Sequence, residues 1–147
     1  MSSCDSVSQN YQDNFSNYRL AKVTATTLNT SGNAVITIPI LSGGLTNAGA
    51  LLGSGAVIVR RVTVQNPSGS VASANVSIGY TNDGANLVTA NTVLSSVSAV
   101  NKFQDITGTG TTAVNGNVTQ CLYVNVNTPS GNANTVDICV WGDVVSF

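Results

Sequence analysis

The sequence predicts an all-β chain: an antiparallel β-sandwich, jelly-roll-like, of about eight strands preceded by a polar N-terminal arm. Three observations carry this. Runs of Val, Ile and Thr alternate with polar residues at period two, the spacing that puts successive side chains on opposite faces of a strand. Turn clusters such as Asn66-Pro67-Ser68-Gly69 and Asn82-Asp83-Gly84 punctuate the runs. Strong helix formers are scarce, for Glu is absent and charged residues make up only 7% of the chain, against about 25% in ordinary soluble domains.

Residues 1–18 form the arm, and 19–147 form one β-sandwich domain. A chain of 147 residues buries roughly 70% of its unfolded surface, enough for a single core without staples. The arm is rich in Asn, Gln and Ser, poor helix residues. Tyr11, Phe15 and Tyr18 have helical spacing, yet the composition favours an extended arm whose aromatics dock on a neighbour or on the body. No basic and apolar leader opens the sequence, which is the expectation for a protein made in a cytoplasm. No apolar run reaches the roughly 20 residues of a membrane helix.

The first strand is expected over Arg19–Leu28, with Ala21, Val23 and Ala25 on one face, and the second over Ala34–Leu41. Pro39 cannot donate to a ladder, so it marks a strand end or a sheet edge. The glycine-rich 42–55 segment is a loop whose Leu45, Leu51 and Leu52 cap the core. Ala56–Gln65 and Ala74–Tyr80 alternate strongly. They either pair as a hairpin with an odd loop or a bulge, or cross between sheets. Leu87–Leu94 is weakly patterned, Ser98–Ile106 reads as a strand, and 107–112 is a breaker. Val118–Asn127 and Thr135–Ser146 close the chain and are expected as a hairpin. Leu122, Val124 and Val126 face the core with Val136, Ile138 and Val140. Cys121, Tyr123, Cys139 and Trp141 lie on the opposite parity.

That second parity is unusual, because the outer face of an antiparallel sandwich is normally polar. Together with Tyr11, Phe15 and Tyr18, these four residues are the candidate interface, since aromatics are enriched and charges depleted where subunits meet. The other reading is a second packed layer, such as the arm folding across its own domain. Cys121 and Cys139 would lie nearly opposite each other in the expected hairpin. A disulfide is possible there, and two buried thiols are preferred. With Cys4 the cysteines are odd in number, as in a reducing compartment.

No constellation for catalysis or metal binding stands out. Histidine is absent, so neither a Ser–His triad nor a zinc site can be assembled in the usual way. Asp spacings fit no calcium loop. Arg60-Arg61 is the only basic doublet. Strict alternation sends one of the two toward the core or its rim and the other to solvent. Pairing with an Asp of the chain is the plain expectation, and a salt bridge to a partner subunit or a phosphate contact is the alternative. A net charge of −1 offers nothing for nucleic acid. The expected activity is therefore not enzymatic, with no cofactor, no metal, no nucleic acid and no membrane.

In texture and strand order, Val57–Val88 (VIVRRVTVQNPSGSVASANVSIGYTNDGANLV) and Asn101–Thr107 (NKFQDIT) resemble the small jelly-roll head decoration, or cement, proteins of tailed bacteriophages. The resemblance implies a homotrimer on the outside of a virion shell that bridges subunits of the major capsid protein, with the arm gripping the shell or a neighbour. The alternative is a phage fibre or spike head, or another carbohydrate-binding β-sandwich, in which Trp141 or a tyrosine stacks on sugar rings.

Overall fold

A computed structural model describes residues 18–29, 34–39, 55–83, 85–109, 113–115 and 121–146. The arm expected over 1–18, apart from Tyr18, and the leucines of the 42–55 loop lie outside these residues. Nine strands are present among them: β1 (Tyr18–Thr27), β2 (Ala34–Pro39), β3 (Gly55–Gln65), β4 (Asn75–Gly79), β5 (Thr92–Val93), β6 (Gln104–Thr107), β7 (Ala113–Asn115), β8 (Cys121–Thr128) and β9 (Thr135–Ser146). One sheet has the order β1-β9-β3-β6, with β7 also on β3, and the other the order β2-β8-β4-β5.

Every ladder is antiparallel. The pairs nest: β1 with β9, β2 with β8, β3 with β6 and β7, β4 with β5. The chain is thus one long hairpin, folded back between β4 and β5, whose successive pairs fall alternately into the two sheets. Rolling it up adds β9 to β3 and β8 to β4. This is the jelly roll, and the expected fold class is what the chain adopts. Strand β6 covers Arg61–Val64 and β7 covers Ala56–Ile58 on the same edge of β3. The two act end to end as one strand position, so nine strands fill eight places.

The core lies between the sheets. Val136, Ile138 and Val140 of β9 meet Leu122, Val124 and Val126 of β8 there, all fully buried with Val62, Val76 and Ile78. Each such side chain contributes about 1.5–3 kcal/mol on leaving water.

Two expectations need correction. The last two strands do not pair with each other, since β8 belongs to the four-strand sheet and β9 to the five-strand one. Alternation identifies the face that is buried but not the sheet that receives it. The 129–134 link is tied instead to the crossing between β3 and β4. Ser130 N–H donates to Leu28 O at 2.9 Å. Asn132 Nδ2 and Asn134 Nδ2 donate to Ser70 O at 2.9 and 3.0 Å. The link is a bridge across the end of the sandwich, as is the 66–74 link, so β3 and β4 also cross between sheets. Second, of the expected 98–106 strand only 104–106 is extended in a ladder, as part of β6 (Gln104–Thr107). Lys102 N–H closes a turn onto Ala99 O at 3.0 Å, and Gln104 holds the strand start through Nε2 to Val93 O and Oε1 from Ser96 N–H, both 2.9 Å.

The other bounds move less. Strand β2 ends at Pro39, on the edge of its sheet, as a residue without an N–H should. In β1, irregular pairing between Arg19 and Ala21 and again between Val23 and Thr26 breaks the parity, so Leu20 and Ala21 are both buried while Ala25 is exposed. Ala25 sits at φ 49° and Asn66 at φ 52°, a region costly for residues with a Cβ. One carboxylate braces both kinks: Asp137 accepts from Ala25 N–H at 2.8 Å and from Asn66 Nδ2 at 3.1 Å.

Candidate functional site

The two outer faces of the sandwich differ in charge. The strands of the five-strand sheet carry Arg19, Lys22, Arg60, Arg61, Asp105, Asp137 and Asp143. The strands of the four-strand sheet, AVITIP, CLYVNVNT, NVSIG and TV, carry no charged residue.

On the charged face, Trp141 of β9 is flanked in register by Arg19 of β1 and Arg61 of β3. The Arg61 guanidinium lies 5.3 Å from the centre of the indole ring, a cation–π contact. Its Nη1 is also 3.9 Å from Asp105 Oδ2, and Thr63 Oγ1 donates to Asp105 Oδ1 at 2.9 Å. A bulge makes this possible. Val59 pairs with Gly142 and Arg61 with Trp141, leaving Arg60 as the extra residue. The buried parity therefore switches from Val59 to Val62 and Val64. Neither arginine enters the core, contrary to strict alternation. Arg60 Nε instead pairs with Asp143 Oδ2 at 2.9 Å, so both arginines meet an Asp. Leu20 bulges on the other side of Trp141. The indole Nε1 is buried and has no acceptor among the described residues.

Cys139 lies one row further along β9, between Lys22 and Thr63. It is buried although it points outward, and Gln65 Nε2 approaches its Sγ at 3.9 Å. Burial pushes the thiol's pKa up, against the pull of Lys22 and Arg19. Burial and the raised pKa both disfavour the thiolate, the reactive form of the group.

On the uncharged face, Tyr123 of β8 stands half-buried beside Thr37 of β2 and Gly79 of β4. Next to it runs an amide ladder. Asn125 Nδ2 donates to Asn127 Oδ1 at 2.8 Å, and Asn127 Nδ2 to Asn91 Oδ1 at 3.1 Å and to Ser77 Oγ at 3.4 Å. Asn125 and Ser77 are buried by this packing. Asn75 Oδ1 is buried and has no donor among the described residues.

The expected interface set is therefore divided. Cys121 and Tyr123 lie on the uncharged face, Cys139 and Trp141 on the charged one. Both thiols are free. Sheets of a sandwich stand about 10 Å apart, whereas a disulfide needs Cβ atoms about 3.8 Å apart, so the two cannot bridge. Tyr18 opens β1 opposite Gly142 and is part of the sheet rather than of an arm. Tyr11, Phe15 and Cys4 lie outside the described residues.

Sequence reasoning missed the bulge that frees Arg60, which alternation cannot announce. It also missed the amide ladder, although Asn125 and Asn127 share the outward parity. Val93 at the end of β5, and Val100 and Phe103 in the β5–β6 link, are exposed; they escaped because the first sat in the weakly patterned run and the other two in an expected strand. Among the described residues no three His, Cys, Asp or Glu side chains gather where a metal ion could be held, and no helix is long and apolar enough to cross a membrane. What the arrangement offers chemically is surface: one face of fixed charges around an indole, and one of neutral amides and a phenol. Compared with models of known protein families and with curated proteins, the chain matches none.

Proposed function

We propose that this protein is a non-enzymatic virion structural protein, a capsid decoration or cement protein. It is made in the host cytoplasm and sits on the outside of the shell, where it bridges subunits of the major capsid protein as a homotrimer. The observation that carries the reading is the uncharged outer face of the four-strand sheet. Burying it against protein removes no ion from water, and ion desolvation is the largest penalty an interface faces. Tyr123 and Cys121 lie at its centre and edge. A jelly roll whose edges are short or bulged resists uncontrolled strand pairing, which suits a protein held at high local concentration. Many weak copies then hold a shell through multivalency.

The carbohydrate-binding alternative draws less support. Trp141 is stacked by Arg61 rather than open to a sugar ring, and the asparagine amides are spent on one another. Immunogold electron microscopy of intact particles from the source of the sequence tests the proposal. Label on the outer surface of the head is the expected result. Unlabelled heads, or label confined to fibres together with binding on a glycan array, would overturn it.

A further inference from the structure

We infer that the β5–β6 link is the other half of the joint between copies: Val100 and Phe103 of one copy seat on the uncharged sheet face of the next, around Tyr123. The inference rests on the homotrimer proposed above. In a cyclic trimer no two-fold axis relates neighbours, so each joint is heterologous and needs two different patches on every copy. The uncharged face supplies one. The charged face is a poor mate for it, because its arginines and carboxylates would have to leave water.

The link offers what a mate needs. Among the described residues the exposed large hydrophobics are Val93, Val100 and Phe103, at 50%, 63% and 60%. All three lie at the end of β5 or in the link that follows it. The link is also fastened. Val97 is fully buried, donates its N–H to Leu94 O at 2.8 Å and accepts from Val71 N–H at 3.0 Å. The Ala99–Lys102 turn and the Gln104 amide, bonded to Val93 and Ser96, hold the other end. Apolar side chains on a fastened loop lose little entropy on docking, and an aromatic anchor is the usual hot spot. Lys102 is the one charged residue of 94–103 and is exposed, so it can stay in water at the rim. Three such side chains offer apolar area on the order of 300 Å², short of the roughly 800 Å² that each partner gives to a standard interface. They are therefore an anchor within a wider neutral contact, not an interface alone. Strand β5 is the edge of the uncharged sheet. Edge and face point in different directions, so each copy turns relative to the last, as ring closure requires.

Sedimentation of the full chain, of Phe103→Asp, and of Phe103→Asp mixed with Tyr123→Asp tests the pairing. The parent is expected at the mass of three 15.0-kDa chains and Phe103→Asp at that of one. The two variants damage different patches. In the mixture, the intact link of Tyr123→Asp can still seat on the intact face of Phe103→Asp, but the ring cannot close. The mixture should therefore contain a species of two chains that neither variant forms alone. A trimeric parent whose Phe103→Asp variant stays trimeric would overturn the inference and leave the trimer standing. Two monomeric variants that give no two-chain species on mixing would overturn the pairing of link with face. A monomeric parent would remove the trimer reading and the inference together. Should Phe103→Asp lose its β-sheet circular dichroism, Val100→Asp takes its place in both samples, and the same outcomes decide.

Discussion

The two outer faces of this sandwich are made from the same inner architecture and treated differently. Behind both stand fully buried Val, Leu and Ile side chains. On the five-strand sheet, with bulges at Leu20 and Arg60, Arg19 and Arg61 flank one indole, while Asp105 pairs with Arg61 and Asp143 with Arg60. On the four-strand sheet, Asn125, Asn127, Asn91 and Ser77 bond to one another, and its strands carry no charged residue. Charge is thus concentrated where the backbone is irregular. The five-strand sheet has three register breaks, two in β1 and one in β3, against one in the four-strand sheet, between Asn75 and Val76. The neutral sheet presents a surface that is cheap to dehydrate, whereas the charged one must turn its ions away from the core.

That contrast can be broken at its tightest point first. A Cβ on Gly142 would collide with Ile58 O and lie 2.9 Å from Ile58 C, with Leu20 Cδ1 at 3.0 Å. Backbone on a central strand cannot give way, so Gly142→Ala should cost roughly 3–5 kcal/mol in urea unfolding. On the other sheet, a Cβ on Gly79 would meet Ala85 O at 2.7 Å in a connecting turn. Gly79→Ala should therefore cost less, about 1–2 kcal/mol. Equal losses would show that the five-strand sheet is no more tightly built than the four-strand one.

The next effect is electrostatic. Asp143 is buried, while Arg60 is well exposed. Solvent screens the pair from the arginine side, and Asp143→Asn keeps the volume, so a loss of about 1 kcal/mol is expected. Stability unchanged within a few tenths would mean that the bulge stands without its ion pair.

Smaller still is the pH response. The raised pKa of Cys139 means that the folded state keeps its proton where the unfolded thiol, near 9.0, has lost it. Stability is therefore fully present below pH 9 and falls as pH rises through the folded value. Cys139→Ala should flatten that alkaline decline. Asp83 works in the opposite sense. The Thr81 hydroxyl and the Ala85 N–H hold its carboxylate below the usual range. What it contributes is present above the ordinary carboxylate value and is lost as pH falls through the lowered one. Disulfide reagents should label Cys121 before Cys139 in a Cys4→Ser background, because the first is half-exposed and the second buried.

Much of the architecture is legible in the residues. Thr135–Ser146 runs over the span its alternation predicts, and the inward parities of β8 and β9 are correct to the residue. The jelly-roll class follows from many short alternating runs with turn clusters between them. What alternation cannot carry is sheet membership. A strand's period states which side is dry, and a crossing at Pro129–Asn134 looks locally like a hairpin turn. The candidate site failed to assemble for that reason. Its four residues share a parity in sequence and lie on opposite sides of the molecule. Arg60 is the second lesson, since a single bulged residue reverses every later assignment on its strand. The run SAVNKF has the composition of a strand, but Gln104 fastens its end by side-chain bonds and leaves Phe103 exposed.

The central claim is that the uncharged face is the one that associates. Sedimentation equilibrium of the parent, Tyr123→Asp and Thr107→Asp tests it most directly. Tyr123→Asp puts a carboxylate in the middle of the neutral face. Thr107→Asp puts the same charge on the exposed edge of the other sheet, in register with Arg61. The account predicts a mass of three chains of 15.0 kDa for the parent and for Thr107→Asp, and of one chain for Tyr123→Asp. A monomeric parent, or a Tyr123→Asp variant that keeps the parent's mass, would contradict it.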